Sequence, residues 1–156
     1  MGNVRSASYS RQKGARAEVQ AKDILNKHMG REVFERTPSS GALDAKYHMK
    51  CDLFKPAGEN RYTIEVKNYQ ESQINHLMLG KSPKIIEWWE QTLVGAKGNR
   101  NNIPLLLFKH SRSKFYCATE DINGIARYPN LIYNYDDYKI QISLLSDFLK
   151  HEQPDL

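Results

Sequence analysis

The sequence predicts a mixed α/β (α+β) chain: a central mixed β-sheet of about five strands flanked by helices. Three observations carry that expectation. Apolar residues recur at helical spacing from Ala17 to His28 and again from Ile85 to Ala96. The stretch "RYTIEVKNY" alternates with period two, and "IPLLLFKH" is a continuous apolar run suited to a strand buried on both faces.

In chain order, "MGNVRSASYSRQ" is polar, small and without a period, so residues 1–12 read as a flexible basic arm ahead of a single domain over 13–156. The first helix runs from Ala15 to His28, with Ala17, Ala21, Ile24 and Leu25 as its stripe and Gly30 as its stop. Glu18 borders the stripe, with Lys22 four residues on as a surface partner. "REVFERT" reads as a first strand, Pro38 to Gly41 as a loop, and "MKCDLF" as a second strand ended by the turn cluster Pro56-Ala57-Gly58-Glu59-Asn60. In the third strand Tyr62, Ile64 and Val66 share one face, while Thr63, Glu65 and Lys67 share the other, toward a cleft or solvent.

A second long helix starts at Ser82 or Pro83, buries Ile85, Trp89, Leu93 and Ala96, and stops at Gly98. Trp88 lies beside that stripe and is the best single candidate for an exposed anchor to a second copy of the chain, the alternative being that both tryptophans belong to the core. "IPLLLFKH" pairs with "SKFYCAT" across a short turn at Ser111-Arg112-Ser113. "RYPNLIYNYDDY" is weakly patterned, and "ISLLSDFLKH" reads as a final helix.

Composition narrows the class. The chain has 156 residues, a formal net charge of +5 and two cysteines. No apolar run approaches the roughly 18–20 residues of a membrane span and no secretory leader is visible, so a cytoplasmic protein is expected. Cys51 and Cys117 lack any CxxC pattern and read as buried reduced thiols; the five histidines lack zinc-ligand spacing. Basic residues outnumber acidic ones eight to four over residues 1–36 and twelve to seven over 37–119, whereas residues 120–156 reverse this at three to seven. That concentration of positive charge is the footprint of a polyanion partner, nucleic acid being the commonest.

Glu65 and Lys67 are unusual on a strand that otherwise alternates apolar residues. Phosphodiester hydrolysis needs charge neutralisation at the phosphate, an activated water and a stabilised leaving oxygen, work suited to a hard divalent cation held by one or two carboxylates. Asp52 and Glu65 meet that need if they lie on adjacent strands with Lys67 beside them. An ExK triplet alone arises by chance in about half of chains this long, so the neighbouring residues carry the signal.

Those residues resemble the PD-(D/E)XK nuclease superfamily, and within it the archaeal and phage Holliday junction resolvase branch. The resemblance rests on Lys13-Gly14, Glu18, Arg36, Ser39-Ser40-Gly41, Asp52 and Glu65-Val66-Lys67, and extends over about residues 13–118, including the helix with Gln91 and the strand with Lys109. It implies a restriction-endonuclease-like core and a Mg²⁺-dependent endonuclease, with Mn²⁺ as substitute. Asp52, Glu65 and the Val66 carbonyl would ligate the metal, Glu18 would reach it through water, Lys67 would activate the attacking water, and Ser39 or Ser40 would lie near the scissile phosphate. Arg11, Lys13, Arg16, Arg36, Ser39, Gln91 and Lys109 would contact DNA. The chain departs from the motif in having Cys51 before Asp52 where proline is usual. It also separates Gly41 from Asp52 by a long segment containing Asp44, an alternative ligand. The implied partners are a four-way junction and a second copy of the chain in a homodimer, in a bacterial, archaeal or phage-infected cell. Other nicking, flap or restriction-type endonucleases, or a noncatalytic DNA-binding protein of the same fold, are the alternatives.

Overall fold

The computed structural model describes residues 4–38, 50–81, 84–100, 102–120 and 126–156. Helix α1 spans Val4–Met29 and is followed by the short strands β1, Glu35–Arg36, and β2, Leu53–Phe54, then by β3, Tyr62–Tyr69. Helices α2, Gln73–Met78, and α3, Lys84–Gly98, lead to β4, Ile103–His110, and β5, Tyr116–Glu120. A hairpin of β6, Asn130–Tyr135, and β7, Tyr138–Leu144, precedes α4, Leu145–Glu152. The strands form one seven-stranded sheet in the order β1-β2-β3-β4-β5-β7-β6. Among the described residues only β3 and β4 pair in parallel, and α2 and α3 make the crossover that a parallel pair requires.

Helix α1 starts at Val4, so residues 4–12 are its first turns and not an arm. The sequence signal failed there because residues 7–12 are exposed on every side, leaving no apolar stripe to read. Farther along, Ala17, Ala21 and Leu25 bury completely against the sheet. The helix ends in a Schellman arrangement: Gly30 takes φ +69°, its N–H donates to Lys27 O, and Arg31 N–H donates to Asn26 O. The buried Asn26 then accepts from both Val33 and Phe34 N–H groups, which turns the chain into β1.

The core has two layers divided by the sheet. Ile64, Val66, Leu105 and Leu107 meet α1 and α4 on one face, whereas Leu106, Phe108, Ile140 and Ile142 meet α3 on the other. Strand β4 therefore buries alternate residues in both layers, as its unbroken apolar run requires, each leucine contributing about 1.5–3 kcal/mol.

Two further expectations change. The Tyr-rich segment before α4 is the β6–β7 hairpin, which raises the strand count from about five to seven. Its pattern is hard to read because β6 is an edge strand that buries no residue fully, and Asp136, at φ 47°, makes the turn in place of glycine. Ile142 to Leu144 accordingly belong to β7 and not to the final helix. Of the two readings of Trp88 the core one holds: it is buried between Tyr69 and Phe108 beside the fully buried Trp89.

The end of α3 clamps the approach to β2. Asn99 accepts from Lys50 N–H at 2.7 Å and donates to Lys50 O at 2.9 Å and to Thr63 Oγ1 at 2.8 Å. Gly95 permits this closeness, since a Cβ there would lie 3.0 Å from Lys50 O. Asn99→Ala strands these polar groups, and urea unfolding should show a loss of about 2–4 kcal/mol; a loss under about 0.5 kcal/mol would mean that the clamp is not made in solution.

Candidate active site

Asp52 stands where β2 begins to leave β3. Leu53 pairs with Ile64 in the antiparallel register, yet Asp52 N–H also donates to Ile64 O at 2.8 Å. Two residues thus address one, the arrangement of a bulge. The next inward N–H on β3, that of Val66, is taken at 2.7 Å by the Asp52 carboxylate Oδ2. From the other side Thr37 N–H donates to Asp52 O at 2.9 Å, and the Thr37 hydroxyl donates to Cys51 O. Main chain and side chain of Asp52 are therefore both held.

Strand parity puts Glu65 and Lys67 on the α3 face, opposite to Ile64 and Val66. The Glu65 carboxylate is 15% exposed and lies 3.5 Å from Lys67 Nζ. Burial first, and then the charge and hydrogen bond of Asp52, push the Glu65 carboxyl up to about 8, against a partial lowering by Lys67. Two carboxylates gathered in one half-buried place with a single ammonium form a donor set that fits a hard divalent cation bound through oxygen. Asp52 and Glu65 would hold it; among the described residues no group of three or more His, Cys, Asp or Glu side chains is placed to do so. Burial pushes the neighbouring Cys51 thiol up to about 12, so it is a packing group, as is the buried Cys117.

The other expected site residues are dispersed. Glu18 is on α1, across the sheet from Glu65, and its carboxylate is held by Arg36 Nη2 at 2.6 Å and Nε at 2.8 Å. Arg36 is accordingly an ion-pair partner. Gln91 is exposed on α3, the helix that covers the Glu65 face. Arg11, Lys13 and Arg16 are on α1; Lys13 donates to Ser111 Oγ, and Lys109 donates to Gln20 Oε1. Ser39, Ser40 and Asp44 lie outside the described residues. Sequence reasoning missed Thr37 and Asn99, whose roles are hydrogen bonds to main chain that no spacing announces.

A mixed sheet with a central parallel pair, helices on both faces and an Asp, Glu-x-Lys set where two strands part is the frame of a restriction-endonuclease-like nuclease. The chain belongs to the family described as "Phage putative PDDEXK endonuclease", whose model matches residues 9–152. It is also similar to Protein D14 of Escherichia phage T5, with 30% identity over 151 residues covering 91% of this chain and 92% of that one. No solved structure matches. The superfamily resemblance and the fold class read from the residues therefore hold, the chain is a nuclease by family, and nucleases of this superfamily generally depend on a divalent metal. No helix among the described residues is long and apolar enough to cross a membrane.

The raised Glu65 carboxyl has a consequence for metal-free protein. The folded state keeps a proton that the unfolded chain releases above 4.5, so this group costs stability progressively as pH rises from about 4.5 to about 8. Glu65→Gln removes the cost: in EDTA its thermal midpoint should exceed that of wild type at pH 8 and match it near pH 4.5. Equal midpoints at pH 8 would overturn the assignment of burial and Asp52 as the causes.

Proposed function

We propose that the protein is a Mg²⁺-dependent endonuclease that hydrolyses phosphodiester bonds in branched DNA, with the four-way junction as its substrate. The observation that carries the nuclease chemistry is the Asp52 carboxylate fixed by Val66 N–H beside Glu65 and Lys67. The junction reading is supported by the order of Lys13-Gly14, Glu18, Arg36, Asp52 and Glu65-Val66-Lys67, which resembles the junction-resolving branch.

When bound, the cation would neutralise charge on the scissile phosphate and lower the pKa of a bound water. This chain's residues do the rest. Asp52 and Glu65 would hold the cation, with the Val66 carbonyl as a further donor, and Mn²⁺ would substitute for Mg²⁺. Lys67 orients the attacking water and stabilises negative charge developing on the phosphate. Glu18, through its pair with Arg36, keeps β1 against α1. Ser39 or Ser40 approaches the phosphate. Arg11, Lys13, Arg16, Gln91 and Lys109 hold DNA, chiefly through phosphates, which position the substrate without reading its sequence. Two symmetric cuts need two sites, so a twofold homodimer in the cytoplasm of the infected cell is the working form.

Purified protein incubated with a synthetic immobile four-way junction, a flap, a nicked duplex and a plain duplex, each with Mg²⁺ and with EDTA, tests this directly. Paired symmetric nicks confined to the junction and abolished by EDTA are expected. Metal-dependent cutting of all substrates would move the function to a structure-tolerant endonuclease, and binding without cutting would make the protein a noncatalytic DNA binder. Asp52→Asn and Glu65→Gln should each lower the cleavage rate by about 10²–10³-fold while junction binding in EDTA survives. Lys67→Ala should slow cleavage by about 10²-fold at unchanged metal affinity, and full activity in any of the three variants would sink the assignment.

A further inference from the structure

The cations expected beside the cleavage site converge elsewhere. Between α1 and the ends of β3 and β4 lies a cavity of about 150 Å³, lined by Lys13, Arg16 and Gln20 from the helix and by Asn68 and Lys109 from the strands. Register fixes its position. Asn68 pairs with Lys109, one step beyond Lys67 with Phe108, so alternation sends Asn68 and Lys109 to the α1 face while Lys67 goes to the α3 face.

None of the described residues lining the cavity is acidic. Lys13 meets the neutral Ser111 Oγ at 3.3 Å; Lys109 meets the neutral Gln20 Oε1 at 3.4 Å and lies 5.4 Å over the Phe115 ring. Arg16 is exposed and makes no ion pair or hydrogen bond among the described residues. Asn68 is neutral, and its Nδ2 is the group on that side chain able to donate to an anion. Three uncompensated cations around one small cavity repel one another, and an anion among them removes that repulsion. A phosphate oxygen set matches ammonium and guanidinium donors converging from several directions.

We propose that this cavity is a second phosphate-binding site, on the reverse side of the cleavage strand, that takes one backbone phosphate of the substrate. The identity of the ligand rests on the nuclease reading above; the affinity for phosphate does not. With Lys67 and Asn68 adjacent on β3, phosphates are gripped on opposite faces of one strand end. Diverging arms of a branched DNA can supply both, whereas a straight duplex presents its phosphates to one face.

Thermal unfolding in EDTA, with about 50 mM inorganic phosphate compared against chloride at equal ionic strength, tests the site without DNA. Wild type should gain about 3 °C. Arg16→Gln and Lys109→Gln should lose that gain, and Lys27→Gln, which removes an exposed cation of the same helix outside the cavity, should keep it. In junction binding the Arg16→Gln/Lys109→Gln double variant should also lower the slope of log affinity against log salt by about 1. Equal phosphate gains in wild type and Arg16→Gln would mean an adventitious ion only and overturn the site. Phosphate stabilisation that needs Arg16, without cleavage of any DNA, would keep the site and overturn the nuclease reading. Junction cleavage without such stabilisation would do the reverse.

Discussion

One exchange in the β ladder organises this protein: a side-chain carboxylate, that of Asp52, accepts the Val66 N–H where a main-chain carbonyl would serve in a continuing strand. The exchange ends regular pairing between β2 and β3 at Leu53 and Ile64 and keeps the strand N–H satisfied. It also sets the carboxylate against Glu65 with little freedom to turn away. The consequence is electrostatic conflict, because Glu65 is already half-buried and gains a like-charged neighbour. A pair held together against its own repulsion is poised to receive a cation.

The clamp around that pair draws on elements far apart in the chain. Thr37 grips Cys51 and Asp52 from the β1 side, while Asn99 and Gly95, at the end of α3, bring Lys50 against Thr63. Helix α3 thus serves two ends: its buried tryptophans close one core layer, and its last turn sets where the Asp52 segment meets β3. The period of two along β3 then sorts the polar chemistry, carboxylates and Lys67 toward α3, Asn68 and the α1 cations toward the other face.

Legibility in the sequence followed how locally each feature is encoded. Strand β3 and its Glu65 and Lys67 could be read because alternation is a property of neighbours, and β4 because an apolar run that long needs both faces covered. The β6–β7 hairpin could not, since an edge strand with half its residues wet gives no clean alternation and Asp136 replaces the usual glycine signal. Helical spacing alone left Trp88 open between core and surface, because it shows one buried stripe, whereas α3 is also covered on its flank by Tyr69 and Phe108. Residues 7–12 of α1 were missed for the opposite reason, having no buried side to betray them.

By itself the sequence determined the α/β class, the alternating strand that carries Glu65 and Lys67, and the basic character of the first three quarters of the chain, because each is a matter of residue type and short period. Tertiary structure alone decided which of the remaining charged residues share a place. Glu18 goes to Arg36 and not to the carboxylate pair, and Lys109 joins Lys13 and Arg16 on the α1 side of β3. The physical reason is that a sheet has two faces: a shift of one residue along a strand moves a charge from one layer to the other, and only the packed helices show which layer holds its partner.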